Sequence, residues 1–220
     1  MHRSGTSSLA GSLQEAGLHL GAVITSAPHN LKGNRENKRI MDLHEAVLVH
    51  SGGSWDNPPG ALTWSDVHRA ERASIIDSYG DAPVWGFKCP RTLFTLDFWR
   101  EVLPELTFVG TLRHPQLVAD SLFRRNGATM EKWLGLWADY AERLVALHAA
   151  QPFPIVRFDV GVDAYRRSLV RVIEALGLPN RESLQFFDPA LRHDEPSSSA
   201  GLPDRVKRLY DALCSVALTA

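Results

Sequence analysis

The sequence predicts an α/β domain in which a parallel sheet is flanked by helices. In the second half of the chain, short apolar segments alternate with longer segments of helical period. The short segments are apolar throughout, which is typical of parallel strands covered on both faces. With 220 residues, 44% of them hydrophobic, the chain can bury one core, so we expect residues 1–220 to form a single domain.

Composition disfavours several classes of partner. The formal net charge of −1 gives no indication of a nucleic-acid or anionic-membrane partner. Cys89 and Cys214 are too few for a disulfide framework, and the nine histidines show no metal-site spacing, so we expect no metal. No apolar run is long enough to span a bilayer and no signal peptide is recognisable, so we expect a cytoplasmic protein. The oligomeric state stays open.

Taken in order, the chain begins with a turn and a helix that Gly17 ends, because apolar residues from Leu9 to Ala16 follow a helical period. Glycine, proline and asparagine mark loops at 19–34 and 51–60, and we expect Trp55 to pack onto the domain. The remaining predicted elements are strands at 84–88, 106–112 and 154–158, helices at 35–49, 65–79, 92–102, from 115, 130–149, 163–176 and 203–217, and a flexible segment at 197–201.

The first residues have the composition of an anion-binding turn. Backbone N–H groups are unpaired at a helix start, and the helix dipole adds positive potential there. A guanidinium suits a phosphate or sulfate, a glycine permits close approach, and hydroxyls add donors. Alternatively, Ser4 and Thr6 only cap the helix. The turn lacks the lysine of a Walker A loop. The residues of this predicted anion cradle are Arg3, Ser4, Gly5, Thr6, Ser7 and Ser8.

A turn of this kind normally follows a buried parallel strand, whereas this sequence begins inside the turn. Either that strand lies upstream of Met1 or the protein lacks it, and we expect the first, central strand of the sheet to be truncated.

Further cations stand at the predicted strand ends, where open parallel sheets bind ligands. Lys88 and Arg91 follow one strand, and Arg113 follows another. Ser121 lies on the helix that follows Arg113, so the two residues can bind one phosphate from two sides. Arg125 lies one turn further along the same helix face. The sequence thus predicts two separate anion sites, as a nucleotide with 5′ and 3′ phosphates requires. Solvated charge at a strand end is the alternative for each cation.

Together, these motifs resemble those of sulfotransferases that use 3′-phosphoadenosine 5′-phosphosulfate (PAPS). Arg3–Leu9 resembles the 5′-phosphosulfate loop, and Arg113 with Ser121 resembles the 3′-phosphate motif. Asn30–Glu36 resembles the pattern N-x-K-G-x-x-E, and Trp85–Arg91 resembles W-G-x-K-D-P-R. Residues 155–159 stand where the family often has V-x-Y-E/D. The resemblance spans nearly the whole chain and implies a P-loop-NTPase-like sheet.

The resemblance also implies a reaction, in-line transfer of a sulfuryl group from PAPS to a hydroxyl or amine, without a metal. Arg3 matches the cation on the 5′-phosphosulfate, and Lys88 matches the lysine that stabilises the bridging oxygen or the sulfuryl group. Glu36 is our choice of general base, against the alternative of a carboxylate that only favours a helix start. His44 and Glu45 are second choices, each otherwise expected on a helix surface.

Two residues depart from the family pattern, Cys89 in place of Asp and Phe158 in place of Tyr. They leave open a catalytically weak or inactive nucleotide-binding module, and a P-loop kinase or NTPase is the other alternative. We expect a saccharide or small metabolite as acceptor, bound by the loops at 21–32 and 51–64. Trp55 and Trp64 could stack on a sugar there, or could simply pack.

Overall fold

A computed structural model describes residues 1–28, 30–179, 184–191 and 201–219. Across these ranges the fold is α/β, with a two-stranded parallel sheet flanked by helices. The strands are β1 (Gly110–Leu112) and β2 (Ile155–Arg157). The helices are α1 (Thr6–Glu15), α2 (Lys38–His50), α3 (Asp66–Asp77), α4 (Thr92–Arg100), α5 (Pro115–Asn126), α6 (Met130–Ala150), α7 (Val162–Ala175) and α8 (Asp204–Val216), with a 3₁₀ turn at Pro189–Leu191.

The two strands pair in parallel, with Gly110 opposite Ile155 and Leu112 opposite Arg157. Both lie inside predicted strands but are shorter than the predictions, since each has only three residues in the ladder. A Cβ at Gly110 would stand 3.0 Å from the Ile155 side chain, so this glycine allows the strands to approach closely. The chain thus reaches the candidate site from the carboxyl ends of two adjacent strands.

The predicted strand at 84–88 is wrong. Trp85 forms a single parallel bridge with His19, through hydrogen bonds from His19 N to Val84 O (3.2 Å) and from Gly86 N to His19 O (3.0 Å). Pro83, just before this bridge, has no N–H with which to extend a ladder. The segment is therefore extended chain, and it still delivers Lys88 to the site.

The helix predictions are confirmed within a few residues at each end. Regular apolar periodicity explains this success, and α6 is the clearest case because its apolar residues form a stripe that faces the core. The buried residues of that stripe are Trp133, Leu136, Trp137, Tyr140 and Leu144.

Three apolar clusters make up the core of the described chain. The largest joins α6 to α5 and α8, the second packs α1 and α7 around Val156 of β2, and the third joins α2, α3 and α4. Each contains fully buried large side chains, among them Trp99, Trp133 and Tyr165. Of the predicted segment 197–201, all but Gly201 lie outside the described residues. Within the described ranges, none of the helices has the length and hydropathy required to cross a bilayer.

Candidate functional site

The loop that enters α1 leaves the first turn of the helix uncapped by side chains. Gly5 occupies the N-cap position with φ 83°, and Leu9 N donates to Gly5 O at 3.0 Å, which is the first helical bond. No side-chain oxygen caps this end, so the interpretation of Ser4 and Thr6 as caps is wrong. Ser4 is buried instead, and its carbonyl accepts a bond from Thr111 Oγ1 at 2.6 Å. The early N–H groups of α1 thus remain available to an anion.

Gly5 is fixed by its neighbour on the sheet. A Cβ there would stand 2.3 Å from the Phe158 ring, a distance that no side chain tolerates. Phe158 N donates to Leu112 O at 2.8 Å, so Phe158 directly follows the paired residues of β2 and its ring is fixed at the end of the sheet. The loop therefore lies directly against the carboxyl end of the sheet.

The hydroxyl residues of the turn line the start of α1. Thr6, Ser7 and Ser8 are each half-buried. The hydroxyls of Tyr165 and Ser8 share a hydrogen bond of 3.1 Å, which ties the turn to α7. The turn thus presents backbone and hydroxyl donors from one rigid helix end.

Arg3 brings the two predicted anion sites into contact. Its Nε donates to Ser121 Oγ at 2.8 Å, and Arg113 Nη1 donates to the carbonyl of Arg3 at 3.0 Å. Arg3 adopts a left-handed backbone conformation, with φ 62°. The prediction that Arg113 and Ser121 lie near each other is consistent with this geometry. Their separation from the Arg3 loop is not observed, because the Arg3 side chain crosses the gap.

Four arginines concentrate positive charge around this contact. Burial, and then the guanidinium groups of Arg125, Arg113 and Arg124, lower the pKa of Arg3. Burial also lowers the pKa of Arg125, which the nearby Glu36 carboxylate opposes. Arg125 is therefore coupled electrostatically both to Arg3 and to Glu36. Such a concentration of like charge favours an anionic ligand.

Glu36 and Lys88 form a buried ion pair. Lys88 Nζ lies 2.6 Å from Glu36 Oε1, and the side chains are 13% and 5% exposed. Asn34 holds both partners, because its carbonyl accepts from Lys88 Nζ at 3.1 Å and its Oδ1 accepts from Glu36 N at 3.1 Å. Arg91 Nη1 is 3.8 Å from the second carboxylate oxygen. The two predicted catalytic groups are thus already together and shielded from water.

The second-choice bases are engaged elsewhere. His44 is fully buried, accepts a hydrogen bond from Trp99 Nε1 at 2.6 Å, and is not the surface residue expected. Burial and then Arg91 lower the pKa of His44 to about 3. Glu45 pairs with Arg91 Nε at 2.7 Å. Glu36 is therefore the carboxylate best placed to act beside Lys88.

Cys89 cannot stand in for the carboxylate that the family pattern has at its position. Burial, and then the Glu36 carboxylate, raise the pKa of Cys89 to about 11, so the thiol stays neutral at pH 7. Arg91, two residues later, takes its carboxylate from Glu45 instead. The carboxylate that pairs with Arg91 thus comes from α2.

Sequence reasoning missed His2 as part of the site. Its ring centroid lies 4.6 Å from that of Trp55, and its buried Nε2 has no hydrogen-bond partner among the described residues. Burial, and then Arg91 and Lys88, lower the pKa of His2 well below its usual value. Its position beside Arg3 was the only available signal.

Both loop tryptophans pack onto the protein. The Trp55 ring stacks on Trp133 with centroids 6.2 Å apart, as expected of a residue tucked onto the domain. Trp64 Nε1 donates to Glu101 Oε1 at 2.8 Å. These contacts favour the packing interpretation for both residues.

No protein-family model, curated protein or solved structure matches this chain. Within the described ranges, no cluster of three or more His, Cys, Asp or Glu residues is arranged to hold a metal ion.

Proposed function

We propose that this chain is a sulfotransferase that moves a sulfuryl group from PAPS to a hydroxyl or amine of a saccharide or small metabolite. The bond between sulfur and the bridging phosphate oxygen breaks as a bond between sulfur and the acceptor forms. The acceptor proton passes to a base, and the leaving phosphate keeps the bridging electron pair. Such a reaction depends chiefly on positioning and charge neutralisation.

One juxtaposition carries the proposal. The uncapped start of α1, with Arg3 linked to Ser121 and Arg113, is coupled electrostatically to the buried Glu36–Lys88 pair, since Lys88 acts on His2, the residue before Arg3. Besides burial, Glu36 and Arg91 act on the pKa of Arg125, and Arg125 in turn lowers the pKa of Arg3, so Arg125 couples the two groups. An anion-binding helix end next to a shielded carboxylate and ammonium is what sulfuryl transfer requires.

Each group has a role that its contacts support. Glu36 takes the acceptor proton, since its buried carboxylate lies directly beside Lys88. Lys88 donates to the oxygen that leaves with the phosphate, and Arg3 neutralises charge on the phosphosulfate. Ser121, Arg113 and Arg125 hold the remaining phosphate and Gly5, Thr6, Ser7 and Ser8 surround the first, with the Arg3 side chain between the two groups. Ser4 supports this turn from the protein interior through Thr111.

Nucleotide binding tests the donor site. At 100 times its dissociation constant, 3′-phosphoadenosine 5′-phosphate should raise the melting temperature by about 5–10 °C. Ser121→Ala should weaken that shift, whereas Ser215→Ala, an exposed serine on α8, should not. Absence of a shift at millimolar nucleotide would overturn the proposal, and stronger binding of ATP with Mg²⁺ would favour the kinase alternative.

Turnover with labelled PAPS and a panel of acceptors tests the chemistry. Glu36→Gln keeps an acceptor for Lys88, so it should fold and bind nucleotide yet lose about 10²-fold or more in kcat. Lys88→Ala should lose about 10²-fold or more as well, with its melting temperature measured in parallel. Nucleotide binding without transfer to any acceptor, in wild type and variants alike, would identify a non-catalytic module instead.

A further inference from the structure

A segment far along the chain, residues 184–188, lies against the loop that carries Glu36. The Phe186 ring covers Gly11 of α1 so closely that a Cβ at that glycine would stand 2.1 Å from the ring. On another side, the Arg35 guanidinium carbon is 4.6 Å from the ring centroid. Phe186 thus joins α1, which starts at the anion cradle, to the residue immediately before Glu36.

The peptide groups around Phe186 are held by two charged side chains. Lys32 Nζ donates to the carbonyls of Gln185 and Phe186, at 3.2 and 2.7 Å. The N–H groups of the same two residues donate to the Glu15 carboxylate, at 3.1 and 2.9 Å. Four charge-assisted hydrogen bonds therefore fix this short segment between α1 and the loop at 32–36.

Arg35 is the point at which the loop must turn. Its φ of 55° is left-handed, a conformation that residues with a side chain adopt only when their surroundings impose it. Arg35 N donates to Ile24 O at 3.2 Å, and Nη1 donates to Gln14 Oε1 at 3.1 Å. With Phe186 beneath the guanidinium, these contacts fix the direction in which the next residue, Glu36, leaves the turn.

We propose that Phe186, clamped by Lys32 and Glu15, is a positioning residue that aims Glu36 at Lys88 through the strained turn at Arg35. The role of Glu36 as base rests on the proposed function, whereas the clamp itself rests on the contacts above. The segment contacts this loop in two ways, through the Phe186 ring against the Arg35 guanidinium and through its backbone carbonyls against Lys32. Packing alone would not require both contacts.

Two variants remove the clamp from opposite sides. Phe186→Ala deletes the ring, and Gly11→Ala expels it while leaving α1 a better helix former. Each should lower kcat by about 10- to 100-fold, because a misplaced base loses near-attack geometry. KM for PAPS and the melting shift with 3′-phosphoadenosine 5′-phosphate should stay unchanged. Gln185→Ala is the matched control, since its exposed side chain leaves both backbone contacts in place.

The double variant separates the clamp from general destabilisation. Gly11→Ala combined with Phe186→Ala should be no slower than Phe186→Ala alone, because the ring that the new methyl displaces is already absent. Turnover of Phe186→Ala equal to that of Gln185→Ala would overturn the proposal. Equal losses in kcat and in nucleotide binding would also overturn it, since they would indicate packing alone.

A readout without turnover distinguishes failure of the clamp from failure of the proposed function. Amide hydrogen exchange of a peptide covering residues 33–37 should become faster in Phe186→Ala and not in Gln185→Ala. If wild type transfers no sulfuryl group, faster exchange would still support the clamp and leave the sulfotransferase assignment refuted. Unchanged exchange would refute the clamp whatever the activity.

Discussion

At Gly5 two constraints act on one backbone position. Its φ of 83° suits glycine, and the Phe158 ring occupies the space that a Cβ would need. Because Phe158 continues from β2, the ring cannot move without disturbing the sheet end. The shape of the turn at Gly5 therefore depends on Phe158.

We expect Gly5→Ala to destabilise the protein by about 2 kcal/mol or more, from left-handed strain together with the clash at Phe158. Urea unfolding would measure the loss. Gly135→Ala is the control, because this α6 glycine faces open space and should gain about 0.5–1 kcal/mol. Equal stability of Gly5→Ala and wild type would contradict the described geometry.

Most of the candidate site could be predicted from the sequence because its residues stand at helix starts and strand ends. Arg3, Lys88 and Arg113 are recognisable there by charge and spacing alone. The clamp at Phe186 could not be predicted, because its contact with Lys32 joins residues separated by 154 positions. No local sequence pattern indicates a contact over such a separation.

On the scale of elements, α3 is attached to α4 through one buried arginine. Arg72 donates to the Phe98 carbonyl near the end of α4, and its Nη1 donates to Glu101 Oε2 at 2.9 Å. The guanidinium also covers the Phe98 ring, 4.3 Å from its centroid. A positive charge at a helix C-terminus and on a ring face is stabilising on both counts.

Arg72→Met should cost about 1.5–3 kcal/mol of unfolding free energy, since it leaves the buried Phe98 carbonyl without its charged donor and removes one of the donors to Glu101. Arg69→Met, on the same helix and also paired with Glu101, should cost under about 1 kcal/mol because Arg69 is far more exposed. Chemical denaturation of both variants compares them directly. A larger loss for Arg69 would be inconsistent with the burial of Arg72.

The elements themselves were predicted unequally. Helices such as α6 repeat an apolar face over several turns, so their periodicity is a strong signal. The strands carry only three paired residues each, which is too short for any period to emerge. At 84–88 the apolar residues are present, but among the described residues the pairing is limited to the single bridge with His19, and pairing cannot be read from one segment.

For the whole molecule, buried histidines couple stability to pH. His44 is neutral when folded, with its pKa lowered to about 3, and the pKa of His2 is lowered in the same direction. Between pH 6.5 and about 3 the unfolded chain therefore binds more protons than the folded one. The contribution of these neutral histidines to the unfolding free energy is fully present above pH 6.5 and is lost progressively as the pH falls through that window.

We expect the unfolding free energy to fall by up to ~1.4 kcal/mol per pH unit for each such histidine. Urea titrations between pH 7.5 and 4 would measure the slope. His44→Gln keeps an acceptor for Trp99 without titrating, so its slope should be shallower, while His50→Gln at an exposed position should match wild type. Identical slopes for all three proteins would rule out His44 as the source.

The contact between Arg3 and Ser121 also bears on the order of folding. It spans 118 positions, so the loop-closure entropy that it requires is offset only once the intervening helices have collapsed. Local helix pairs such as α5 and α6 need no such closure. We therefore expect Arg3 and Arg113 to come together late in folding, after apolar burial can offset their mutual repulsion. We therefore expect any anion that binds at Arg3 to bind the folded protein and not a partly folded chain.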